Sequence, residues 1–352
     1  MGEASLVLES FYLSGYNFTE IRVLSVNDGQ TICTAIEALK KEVENLVVIS
    51  EKEVIGQAKS TIAKAFSDSN VQNAFDCAAI YSEDTKNLFL LSADGTETGA
   101  QYAKRVCIPY IQQRSGMRYD RIVLRAVGAN AERVESLMAQ AQRIARDSMM
   151  FSRVRKYDED VIEIVYSNKA SKMLIDDVLR IFADGFADTL YAMDEASLEE
   201  QLVALLKLRR RKISVAESFT GGGIAKRITS VSGASEVYFE GLNTYNEYAK
   251  VKRLGVSEYT IRTLGVVSDQ TAYEMAYGLL TTGDCDVAVA TTGIAGPKSD
   301  KSMQPVGLCY IAVGTKEKIR VYRYIFDGNR EEITQKAINY ALHSAFKQVK
   351  EL

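Results

Sequence analysis

The chain has 352 residues, 47% hydrophobic and 25% charged, with a formal net charge of −3. That is the composition of a soluble globular protein of two or three domains, and its slight acidity gives no electrostatic basis for a nucleic-acid partner. The first twenty residues carry Glu3, Glu9 and Glu20 but no Lys or Arg, and no apolar run reaches membrane length, so no secretory signal and no membrane partner are expected. The cytoplasm is the expected location.

From Ile21 to about Arg114, apolar runs alternate with helical patterns: IRVLSV, Thr31 to Val43, LVVIS, Val54 to Phe66, CAAIY, NLFLLS and Gly99 to Gln113. The alternation predicts a three-layer α/β domain over residues 1–118 with a largely parallel sheet. No phosphate loop or G-x-G-x-x-G turn follows these runs, so this part offers no evident site. Residues 119–192 read as a small α+β module: a strand (IVLRAVG), a helix over 131–145, a hairpin of FSRVRKY and DVIEIVYS, and a helix over 170–183. It lacks the G-x-x-G loop that clamps an RNA backbone. A connecting helix follows, with Ser197 and Glu200 at capping-box spacing, and Arg209 to Lys212 fit its solvated end better than a phosphate site.

From Lys212, βα alternation resumes through residue 352 and predicts one compact α/β domain over 193–352, with Ser268 capping a helix over 269–281 and a closing helix over 329–349. The fold class is therefore α/β and multi-domain. The stretch KISVAESFTGGG (Lys212 to Gly223) reads as a strand turning into a helix, with Ser218 at the strand's carboxyl end, where ligands bind in open α/β sheets. Its glycines would let backbone approach a substrate, and the N–H groups of the turn and of the following helix start are expected to face an anion or an oxyanion, although a glycine run alone also fits a tight turn.

The residue inventory narrows the chemistry. Five cysteines stand singly, which argues against a zinc site or disulfide framework, and they are expected to be buried thiols. The single histidine, His343, lies in a late helical run, and a helix-surface position is expected for it. Acid–base work then falls to Lys, Tyr, Asp or Glu. Three loops, 217–223, 244–250 and 291–296, are rich in small and polar residues, and among them Ser218, Tyr245 and Lys250 suffice for amide hydrolysis without histidine. Lys250 would have to be neutral, which demands a shift of roughly three units from a pKa of about 10.4, about 4 kcal/mol, by desolvation or a nearby cation. Spacing alone also fits a surface lysine and a packing tyrosine.

The segment AESFTGG (Ala216 to Gly222) resembles the A-E-S-C-T-G-G signature of the CinA C-terminal domain, of the competence/damage-inducible protein family. TYNEYAKVKRLGV (Thr244 to Val256), TTGIAGP (Thr291 to Pro297), PVG (Pro305 to Gly307) and GNREEI (Gly328 to Ile333) are similar to further segments of that domain, in the same order. The resemblance implies a Ser/Lys amidohydrolase that converts nicotinamide mononucleotide to nicotinate mononucleotide and ammonia, in pyridine nucleotide salvage. It makes Ser218 the nucleophile, Lys250 the base and Tyr245 an assistant, with Thr220, Gly221, Gly222, Thr292, Gly293 and Arg330 around the nucleotide. It implies no cofactor and no metal for the amidase, and a homodimer as partner state. Two other readings stay open: a catalytically silent nucleotide-binding or regulatory relative, and a competence or DNA-damage accessory protein. Two departures stand out. Phe219 replaces the signature cysteine, which implies an altered pocket wall. Upstream, Asn87 to Gly116 resembles the closing part of a molybdopterin-binding-like domain, but Ala93 to Gly95 stands where a proline-glycine turn is expected and the G-G-x-G-P-T loop is missing. The resemblance therefore implies a degenerate N-terminal domain, without the ADP-ribose hydrolysis or divalent metal of such domains.

Overall fold

A computed structural model describes residues 2–16, 18–24, 29–67, 69–74, 78–93, 99–299 and 303–352. It divides into two compact units: Met1–Arg121 with Asp147–Met150 and Val165–Lys172, and Ile122–Arg146 with Phe151–Ile164 and Met173–Leu352. The first unit runs α1 (Gly2–Leu13), α2 (Gly29–Glu42), β1 (Asn45–Ser50), α3 (Ile55–Ala65), β2 (Asn70–Ala74), β3 (Ala78–Glu83), β4 (Lys86–Ser92), α4 (Gly99–Tyr102) and α5 (Ile108–Ser115). Its sheet has the order β1-β4-β3-β2. Along β4, Leu88 and Leu90 pack with Ile36 of α2 and Ile62 of α3, while Phe89 and Leu91 pack with Val7 and Phe11 of α1 and with Ile111 of α5. Helices cover both faces, so three layers form and β4 reads as an almost unbroken apolar run.

Two expectations for this unit are corrected. Only β1 and β4 are parallel; β3 runs antiparallel to β4 and to β2. The two residues Asp84 and Thr85 between β3 and β4, with Asp84 at φ 50°, allow a hairpin and leave no length for a crossover helix. Ile21–Leu24, read as part of a strand, lie outside any strand, and Val23 is 95% exposed. Their β-branched residues have no apolar face to cover, and propensity without a partner strand does not make a ladder. Ser25 and Val26 of that run, and Cys77, Asp94 and Gly95, lie outside the described residues.

The remaining elements begin with β5 (Tyr119–Val127), α6 (Ala131–Ala145), β6 (Met149–Lys156), β7 (Glu159–Ser167), α7 (Lys172–Phe186) and β8 (Leu190–Ala192), whose sheet has the order β6-β7-β5-β8. They continue with α8 (Leu198–Arg209), β9 (Ile213–Glu217), α9 (Gly223–Ser230), β10 (Tyr238–Asn243), α10 (Glu247–Leu254), α11 (Glu258–Thr263), α12 (Asp269–Thr281), β11 (Val287–Gly293), β12 (Leu308–Gly314), β13 (Ile319–Ile325) and α13 (Arg330–Glu351). The last sheet has the order β10-β9-β11-β12-β13, parallel across β10, β9 and β11 and antiparallel beyond.

The two faces of this sheet are filled differently. Ile213 and Val215 of β9 and Val287 and Val289 of β11 meet Leu202 and Leu206 of α8, Ile224 and Ile228 of α9, and Ile338, Leu342 and Val349 of α13. The alternate residues Ala216, Ala288 and Ala290 meet Met275 and Leu279 of α12 and Leu254 of α10. A period of two on the strands against helical spacing on their covers fixes which side chains enter the core, each fully buried aliphatic contributing about 1.5–3 kcal/mol. The helix starts are capped: Ser197 with Glu200 on α8 and Ser268 on α12, as the sequence indicates, and Asn329 with Glu332 on α13. His343 is a correction. It faces inward, 8% exposed, its Nε2 has no partner, and burial pushes its pKa down to about 4. The long apolar face of α13 takes it inside, where it stays neutral. Of the cysteines, Cys107, Cys285 and Cys309 are buried and Cys33 is half-buried.

Candidate active site

The parallel strands bring three loops to one level. Glu217 at the end of β9 pairs in register with Asn243 of β10 and with Thr291 of β11. Two further bonds extend the ladder past the strand end: Ser218 N–H donates to Thr291 O at 3.1 Å, and Thr244 N–H donates to Glu217 O at 2.8 Å. The residues after β9, β10 and β11 therefore emerge together at the carboxyl edge of the sheet, where open α/β folds place their ligands.

At that edge stand Ser218 and Lys250. Asn246 caps α10 by accepting from Tyr248 N–H, and Lys250 follows one turn later on the inward face. Its side chain is fully buried, and Ser218 is 7% exposed, so the lysine lies behind the serine. Nζ of Lys250 is 3.0 Å from Ser218 Oγ, 2.7 Å from Thr244 O and 3.4 Å from Tyr245 O. Burial pushes its pKa down from 10.5 to about 8, with Glu247 opposing the shift weakly. A neutral amine satisfies all three contacts: two N–H groups donate to the two carbonyls, and the lone pair accepts the serine hydroxyl. An exposed surface lysine is excluded by these contacts.

The other expected residues divide into those at the opening and those in the wall. Tyr245 meets Lys250 only through its carbonyl; its ring is 61% exposed, and its hydroxyl accepts from Arg330 Nη2 at 3.0 Å. Arg330, the first residue of α13, also donates from Nη1 to Gly296 O at 2.6 Å, joining the loops after β10 and β11. Thr220 and Thr292 are buried: Thr220 Oγ1 bonds Thr291 Oγ1 at 2.8 Å, and Thr292 Oγ1 donates to Val266 O at 2.8 Å. Phe219 is buried with Ala295, Cys309, Phe326, Ile333 and Ala337. A Cβ on Gly293 would come within 2.9 Å of Phe219 Cε1 and 2.6 Å of Cys309 Cβ. The ring packs against the bare backbone of Gly293, which leaves no room for a Cβ there.

The glycine turn is organised by a residue that sequence reasoning left without a role. Glu217, 1% exposed, turns its carboxylate back onto the start of α9 and accepts from Gly222 N–H at 3.1 Å, Ile224 N–H at 3.1 Å and Ala225 N–H at 2.8 Å. Gly221 N–H donates to Ser218 O and Gly223 N–H to Thr220 O, while Gly221 and Gly222 take φ of 63° and 95°, which favours residues without a Cβ. The N–H groups of the three glycines, expected to face a ligand, are committed internally. The available signal was a carboxylate at the end of an apolar strand, directly before a helix start that needs acceptors.

Fold and site together define an α/β protein that holds a serine against a desolvated lysine at the carboxyl edge of a five-stranded sheet. Residues 195–349 match the family model described as the CinA C-terminal domain. A putative competence-damage inducible protein of Caldicellulosiruptor saccharolyticus is 34% identical over 268 residues, 75% of this chain and 64% of that protein. A CinA-like protein of Kosmotoga olearia is 42% identical over 153 residues, 44% of this chain and 37% of that protein. Among solved structures, the competence/damage inducible protein CihA of Agrobacterium tumefaciens is 36% identical over 43% of this chain and 94% of its own, with a TM-score of 0.41. The chain carries a CinA C-terminal domain over residues 195–349, and it spans less than two thirds of the length of these two curated relatives.

Proposed function

We propose that the protein is a nicotinamide-nucleotide amidase of the Ser/Lys type, converting nicotinamide mononucleotide to nicotinate mononucleotide and ammonia. The observation that carries the chemistry is the 3.0 Å contact between Ser218 Oγ and the buried Nζ of Lys250, whose pKa is pushed down to about 8. The choice of substrate rests on the family resemblance. In this reading Ser218 Oγ attacks the carboxamide carbon while its proton passes to neutral Lys250, and the carbonyl electrons move to the oxygen. Collapse of the oxyanion expels the amide nitrogen, which takes the proton from Lys250 and leaves as ammonia. Water, deprotonated by Lys250, then attacks the Ser218 ester, and the serine leaves with that proton returned.

Tyr245 acts at the opening: its exposed ring offers a face to a pyridinium, and Arg330 beside it offers guanidinium donors to a phosphate. Thr220, Gly221, Gly222, Thr292 and Gly293 shape the wall. Ammonia release from nicotinamide mononucleotide by wild type, Ser218→Ala and Lys250→Ala tests the reading; equal rates in all three would end the serine–lysine assignment.

A further inference from the structure

Removal of the α9 N-terminus as a ligand site raises the question of which donors receive the charge that develops during acyl transfer. Every glycine N–H of the turn has an internal acceptor, and Ile224 and Ala225 N–H are bound to Glu217. Among the described residues, the backbone N–H groups that follow Ser218 directly, those of Phe219 and Thr220, have no hydrogen-bond partner. Their side chains are anchored in the protein: the Phe219 ring is packed with Ala295, Cys309 and Phe326, and the Thr220 hydroxyl is bonded to Thr291. Both anchors hold the backbone between residues 218 and 221 from the inside. On the other side of the turn, Glu217 fixes Gly222, Ile224 and Ala225.

We propose that the Phe219 and Thr220 backbone N–H groups are the oxyanion donors of this site, and that Glu217 is a positioning residue that holds the turn in the geometry exposing them. The inference rests on Ser218 being the nucleophile, as proposed above, and not on the identity of the amide. The physical reason is that a turn held by three charge-assisted bonds does not need to reorganise when the oxyanion forms. The buried carboxylate at the start of α9 also repels a second anion there, so a substrate phosphate is directed elsewhere on the site.

Replacing the amide before residue 219 or residue 220 by an ester, with the corresponding α-hydroxy acid incorporated in the full chain, deletes one N–H and keeps the side chain. Two readouts apply: the rate at which an alkyl fluorophosphonate labels Ser218, followed by mass, and ammonia release from nicotinamide mononucleotide. Each ester is expected to slow Ser218 labelling and to lower kcat by about 10²–10³ with KM within about threefold. Labelling within twofold of wild type in both esters overturns the donor assignment. Labelling that falls as expected in a protein releasing no ammonia keeps the donors and overturns the amidase reading; a wild type that is not labelled at Ser218 overturns both. Glu217→Gln tests the positioning role, because an amide NH₂ cannot accept and faces N–H groups that donate. It is expected to lower kcat with nucleotide affinity unchanged, and Glu217→Asp to recover part of it. Tighter nucleotide binding in Glu217→Gln would instead show that the freed α9 N-terminus is the anion site, and would overturn the assignment.

Discussion

At the scale of single residues, the site is governed by one desolvated amine. The folded-state pKa of Lys250 lies below its value in the unfolded chain, so the unfolded state holds the extra proton between about pH 8 and 10.5. Native stability attributable to this residue is lowest below pH 8 and rises across that window by about 3 kcal/mol. Urea denaturation of wild type minus that of Lys250→Met, followed against pH, is expected to climb over that range; a flat difference would mean that the amine is not desolvated. Activity has the same origin. With Lys250 as base, kcat is expected to fall about tenfold per unit below the Lys250 pKa, and a rate independent of pH from 6 to 9 would contradict it. Gly293→Ala drives a Cβ against Cys309, Leu308 O and the Phe219 ring. It is expected to cost about 1–3 kcal/mol of stability and to lower kcat by displacing the serine loop, both read in one purified variant.

At the scale of elements, capping and strand-end geometry connect sequence to site. Ser197→Ala removes the hydroxyl half of the capping box on α8, leaves the backbone N–H of residue 197 bonded to Glu200, and is expected to lower stability by about 1 kcal/mol, measured by the urea midpoint at constant slope. The elements themselves were largely legible. The alternation of apolar residues in β9 and β11 and the five-residue step from Tyr245 to Lys250 are local patterns, and they bring Ser218 and Lys250 together once the parallel strands are in register. What was not legible depends on where a side chain turns. Glu217 reads like any acidic residue at a strand end until α9 lies beside it, and Tyr245 reads as a partner of the serine until α13 offers it Arg330. The same limit applies to the first unit, where apolar runs alone do not distinguish the hairpin of β3 and β4 from a parallel crossover, and to His343, whose polarity predicts a surface that its helix face overrules.

At the scale of the whole molecule, every residue proposed for chemistry lies in the part matched to the CinA C-terminal domain. We propose a domain boundary near residue 193, but the core does not stop there. Val127, Tyr191 and Ala192 are buried in the same cluster as Leu202, Ile213 and Ile338, and Asn339 Nδ2 donates to Tyr157 O at 2.8 Å. A fragment of residues 193–352 is therefore expected to retain kcat per folded molecule but to be less stable than a fragment of residues 119–352, by roughly 2–5 kcal/mol. Equal stability of the two fragments would show that the small module adds nothing to this core. The most direct test of the serine–lysine site remains the stoichiometric release of ammonia and nicotinate mononucleotide from nicotinamide mononucleotide. Wild type is expected to turn over, with Ser218→Ala and Lys250→Ala slower by at least about 10³; the three proteins turning over alike, or none of them at all, would contradict it.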